Sequence, residues 1–152
     1  MRYKDLQYIR QIELIENSPL FDNSKGNGYF MGKERAFVLQ TPTTNLYKPI
    51  RELAIKYFKE NNIDWWRGNS PSGHTLSSQI SCLNHLMPIM KDKKAVLTII
   101  NSIKNEFVTV HPINCDTTPR FIAFEVVSSE KNYLNERNNT RGANCTSVDA
   151  LV

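Results

Sequence analysis

Apolar residues recur at three-residue steps near the start of the chain, at Leu6, Ile9, Ile12 and Ile15 within Tyr3–Glu16. The spacing predicts an amphipathic helix, closed by Asn17-Ser18-Pro19 because a residue before proline avoids helical backbone angles. Phe21–Gly32, with its run of Asp, Asn, Ser, Lys and Gly, reads as loop, and Arg35–Gln40 as a short strand. The clearest helix is Tyr47–Asn61, where Ile50, Leu53, Ala54, Tyr57 and Phe58 share one face. Pro49 falls in its first turn, where no backbone N–H is lost from the ladder.

Arg67–Gly73 is a loop by composition, and Thr75–Met87 a helix carrying Leu76, Ile80, Leu83 and Met87 on one side. Pro88 forces a bend or a break there, and Asp92 caps the next helix, whose Ala95, Val96, Ile99, Ile100 and Ile103 are expected to face a core. Phe107–Ile113 and Arg120–Ser128 read as strands. Residues Phe121–Val127 are apolar on both faces but for Glu125, which predicts a central place in a covered sheet. Ser147–Val152 reads as a further strand, extended and apolar but for Asp149. Helices come first and strands gather late, so the expectation is one mixed α/β domain over residues 1–152, its central sheet left incomplete.

Composition narrows this only a little. Net charge is +4, but Lys and Arg are spread along the chain, which permits an anionic partner without marking a basic stripe for one. Cys82, Cys115 and Cys145 are an odd number at wide spacing and suggest no disulfide framework. No run approaches the ~18 apolar residues of a membrane span, and Met1–Leu6 has no signal-peptide character. The expectation is a reduced, cytoplasmic protein without a membrane partner.

Three carboxylates stand out. Alternation puts Asp149 on one face with Ser147 and Leu151, among apolar neighbours. An acid there must be paired, protonated or bound to a cation, because stranding its charge costs several kcal/mol. A plain bond to an arginine or a backbone N–H is the structural alternative. Glu125 interrupts the most apolar strand, and reads either as a buried ion pair with Arg51 or Arg120 or as a carboxylate near a metal. Glu52 sits beside Leu53 on the Tyr47–Asn61 helix, where most glutamates are simply solvated.

The run from Trp65-Trp66 through Gly73-His74-Thr75 to His85-Leu86, then Phe121–Val127, then Arg141–Leu151, resembles a bacterial branch of the PD-(D/E)XK nuclease superfamily. The resemblance implies a restriction-endonuclease-like core: a central sheet flanked by helices, with an aspartate on one strand and Glu-x-Lys on the next. Asp149 matches the aspartate. It implies Mg²⁺ held by carboxylates, with the metal polarising a scissile phosphate and activating water. Glu125 and Glu52 join that shell by chemical plausibility alone, giving Asp149 and Glu125 as catalytic candidates.

The chain departs from the pattern, since it contains no Glu-x-Lys, and that strand would begin beyond Val152. Its one Asp-x-Lys, Asp92-Lys93-Lys94, reads as a helix cap with two solvated lysines. The expected function is therefore that of a Mg²⁺-dependent DNA endonuclease of restriction or defence, weak or inactive as this chain. Its expected partners are DNA and a second copy or other strand-completing chain. The alternative is a non-catalytic module of the same fold that binds nucleic acid or protein.

Three further constellations are weighed against blander readings. Cys82 with His85, and His111 with Cys115, supply four soft ligands for Zn²⁺, though the spacing is foreign to known zinc modules. Core cysteine and surface histidine explain them better. Trp65-Trp66 offers base stacking, against ordinary packing beside a helix end. Ser77, Ser78 and Gln79 near a helix start suit a phosphate or mere capping.

Overall fold

The computed structural model describes residues 1–66, 68–113, 119–126 and 148–152, with Val148 and Asp149 described by backbone alone. It is a mixed α/β structure in two compact units, residues 1–81 and 82–152. No helix among the described residues is long and apolar enough to cross a membrane.

In the first unit, helix α1 spans Tyr3–Asn17 and ends where Pro19 was expected to end it. Three residues turn a helix by about 300°, so an apolar stripe at three-residue steps drifts around the cylinder. Only Ile15 is buried; Leu6 and Ile9 are exposed. Ser18 begins the next turn, its Oγ accepting the Leu20 N–H.

The expected loop holds a hairpin, β1 (Gly28–Phe30) against β2 (Lys33–Arg35), antiparallel, with Phe30 opposite Lys33 and Gly28 opposite Arg35. Its turn residues Met31 and Gly32 both have positive φ, 53° and 72°, as a two-residue type I′ connection demands. The strand expected at Arg35–Gln40 shrinks to a lone bridge between Val38 and His74. Residues 37–39 nonetheless organise the unit. The Val38 carbonyl accepts from Gly28 N, the Leu39 N–H donates to Gly73 O, and the Thr75 hydroxyl donates to Phe37 O.

Helix α2 (Arg51–Glu60) follows a short 3₁₀ turn at Lys48–Ile50 that absorbs Pro49. It buries Ala54, Tyr57 and Phe58, as its periodicity predicted, whereas Leu53 is exposed. Phe58 stacks on Trp65 with ring centroids 3.9 Å apart.

Helix α3 (Ser78–Leu86) gives way at Pro88 to a 3₁₀ turn, Met87–Ile89. In the second unit, Asp92 caps α4 (Lys93–Ile103), its Oδ1 accepting from the Lys94 and Ala95 N–H groups at 3.0 Å. The expected core face of α4 is narrower than its pattern. Val96 is buried, but Ile99 is exposed, and Ile103, in the last position of the helix, is 83% exposed. Phe107–Ile113 is not a strand: the Asn101 side chain takes both backbone bonds of Phe107, which a sheet partner would otherwise use. Strand β3 (Ala123–Val126) pairs antiparallel with β4 (Val148–Leu151). Among the described residues this sheet has two strands, so the central, doubly covered position expected for β3 is not seen there.

Candidate functional site

Two of the three candidate acids come to adjacent places. Register pairs Phe124 with Ala150 and Val126 with Val148, and Glu125 and Asp149 are the residues between those two pairs on β3 and β4. Glu125 is 8% exposed and its φ is 50°, in the left-handed region that a glutamate seldom adopts. That backbone turn breaks the alternation of the strand, which is why Phe124 and Glu125 are both buried although adjacent. A carboxyl so enclosed demands a proton, hydrogen bonds or a cation.

Glu52 lies elsewhere. It is exposed in the first turn of α2, within the other compact unit, where a negative charge complements the helix dipole. Arg51, one of the ion-pair partners considered for Glu125, binds Asp22 at 2.9 Å and the Leu46 carbonyl at 3.0 Å within its own unit. Among the described residues no three His, Cys, Asp or Glu side chains gather as a metal-holding group.

The rival constellations resolve in part. Cys82 is half-buried on α3, His85 and His111 are exposed, and Cys115 lies outside the described residues. Ser77 is buried with its Oγ turned to the Ile80 N–H. Gln79 accepts from the Trp66 N–H and donates to the Asp64 carbonyl, so it ties down the loop before it. These polar residues act as local braces.

The two tryptophans divide their roles: Trp65 is core, whereas Trp66 is 45% exposed. Trp66 borders a cleft of ≈ 380 Å³ between the β1–β2 hairpin and the Gly68–Gly73 loop, with Tyr29, Phe30 and Met31 on the hairpin side. Behind it lies a ring cluster. His74 meets Phe30 edge-on at 4.8 Å and Phe37 at 5.1 Å; Phe30 sits 5.2 Å from Trp66; Tyr8 stacks on Phe37 at 3.9 Å. Antiparallel register puts Phe30, Lys33 and Arg35 on one face of the hairpin and Tyr29 with Glu34 on the other. Cations therefore share the face that joins the ring cluster.

His74 sits at the junction. Its Nδ1 accepts the Leu76 N–H at 3.2 Å, so the remaining ring proton belongs on Nε2. Burial holds its pKa below the usual histidine value; a backbone hydrogen bond opposes the shift, and Lys4 and Arg35 add to it by repulsion. The neutral ring is thus the form this site keeps. Sequence spacing alone did not gather these residues, because they come from α1, a hairpin and two loops. The one signal was the Met31-Gly32 turn between Phe30 and Lys33, a hairpin sign obscured by methionine where Asn or Asp is usual.

Over residues 8–152 the sequence matches the model of a family described as Restriction Endonuclease associating with ARP, which accounts for nearly the whole chain. The chain belongs to that family. Membership supports a nuclease-related or defence-related role and makes DNA a plausible ligand. No curated protein and no solved structure gives a match.

Proposed function

We propose that this restriction-endonuclease family member acts on DNA through a Mg²⁺-dependent phosphodiester hydrolase site of PD-(D/E)XK type, with Asp149 and Glu125 as its carboxylates. The observation that carries the reading is that these two acids lie between the same two register pairs of adjacent strands, one of them buried on an otherwise apolar strand. Two carboxylates and water are a donor set suited to Mg²⁺, which prefers oxygen ligands and is often held by one or two acids. Once bound, such a cation supplies positive charge at the phosphate and lowers the pKa of an attacking water. Glu125 and Asp149 would each lend carboxylate oxygen to such a cation from adjacent strands. Glu52 is not needed for this arrangement.

The absence of any Glu-x-Lys leaves no motif lysine to orient water or steady developing charge, so slow or undetectable cleavage by this chain is expected. That same absence favours a second reading, a non-catalytic nucleic-acid-binding module. Both belong to bacterial restriction or defence in the cytoplasm.

Calorimetric titration with Mn²⁺ tests the carboxylate pair. Asp149→Asn and Glu125→Gln should each weaken the metal by about ten-fold or more, the scale on which lost metal contacts register. Identical binding by all three proteins would remove both acids from the site. Cleavage of plasmid DNA by this chain at a rate typical of enzymes, about 1 s⁻¹ or faster, would overturn the expectation of weak activity.

A further inference from the structure

We propose that the cleft between the hairpin and the Gly68–Gly73 loop is a stacking site for an unpaired nucleobase, with Trp66 as the platform and Lys33 and Arg35 as the phosphate contacts. The inference rests on the proposed nucleic-acid reading but concerns the other compact unit, residues 1–81. Trp66 is backed by Phe30 at 5.2 Å and His74 at 6.1 Å, so its indole is braced from behind while nearly half of it meets solvent. The cleft, ≈ 380 Å³, is of the size of a small-molecule pocket, and its lining mixes the aromatic residues Tyr29, Phe30 and Trp66 with Ser70 and Ser72.

Charge selects the ligand. Lys33 and Arg35 lie on the Phe30 face of the hairpin, both exposed, and the field of Arg35 and Lys4 reaches His74 itself. The acid of the hairpin, Glu34, pairs with Tyr29 on the other face of the hairpin, and Glu34 is not among the residues that line the cleft. Aromatic surface beside cations on one face is the combination that holds single-stranded nucleic acid: rings stack on bases and cations track the backbone. A neutral histidine fits such a site as packing behind the platform.

The test uses oligo(dT) of about eight nucleotides, within the site size of single-strand binders, an abasic oligomer of equal length, and a duplex. Oligo(dT) should quench tryptophan emission. Trp66→Ala should weaken oligo(dT) about ten-fold or more, by the usual contribution of one stacked base, and leave the abasic oligomer unaffected. Trp66→Leu, which keeps apolar bulk without an aromatic face, should show the same loss if Trp66→Ala folds poorly. Lys33→Glu and Arg35→Glu should weaken both oligomers alike and flatten the salt dependence. Equal binding of oligo(dT) by wild type and Trp66→Leu would overturn the proposal, as would equal affinity for the abasic oligomer or preference for duplex. Lys93→Ala, an exposed position in the other compact unit, should bind oligo(dT) like wild type. Loss of metal binding in Asp149→Asn alongside a failed stacking test would leave the nuclease reading standing without the base site.

Discussion

His74 shows how much a single side chain can be asked to do in this chain. It spans two aromatic neighbours, receives the Leu76 N–H on Nδ1, and gives its backbone carbonyl to Asn45 and Ser77. Because burial depresses its folded pKa below the unfolded value near 6.5, the unfolded chain binds the proton more readily. The stability this contributes is complete above that pH and is lost as pH falls from 6.5 toward the folded value. Urea unfolding across that range should show stability decreasing on acidification, and His74→Gln should flatten that part of the curve. Unchanged slopes in the variant would assign the pH dependence to other groups. Glu125 teaches a different lesson at the same scale. Its burial was foreseeable from the apolar run around it, whereas its left-handed φ was not, since glycine, asparagine and aspartate announce such a backbone in sequence and glutamate does not.

Among the elements, those set by local chemistry were the readable ones. Helix α1 ends at its proline, α2 buries the face its periodicity marked, and Asp92 caps α4. The cap accepts two N–H groups at 3.0 Å, so Asp92→Ala should destabilise the protein by about 1 kcal/mol, the usual worth of an N-cap, in thermal or denaturant unfolding. Lys93→Ala, an exposed neighbour without that bond, is the control and should change little. Elements that depend on remote partners were less legible. Phe107–Ile113 has the composition of a strand, yet both backbone bonds of its first residue, Phe107, are taken by the Asn101 side chain six residues upstream. The α4 pattern likewise promised more buried isoleucines than the fold covers, because periodicity reports which residues share a side, not how far the core extends along it.

The molecule as a whole is a mixed α/β chain with two compact units, residues 1–81 and 82–152. The acids Glu125 and Asp149 stand out in sequence by being charged in apolar strands, and both lie between the same two register pairs of β3 and β4. The aromatic cleft escaped notice because its residues are scattered between Tyr8 and His74 and only folding gathers them. In the 1–81 unit, Gly28 and Gly73 each lie so close to the Leu39 carbonyl oxygen that a Cβ at either would run into it. Gly73→Ala should therefore destabilise the protein by about 1–3 kcal/mol, the range for forcing extra atoms into a filled space, as read by urea unfolding. A neutral result would mean the loop can retreat freely.

Those two glycines belong to opposite jaws of the cleft, and both jaws are fastened to the main chain at Val38 and Leu39. The width of the opening is thus set by peptide geometry, independent of which side chains line it. Swapping the lining should retune what the socket grips while leaving its dimensions intact, which makes this corner of the protein a natural place to alter ligand preference by design.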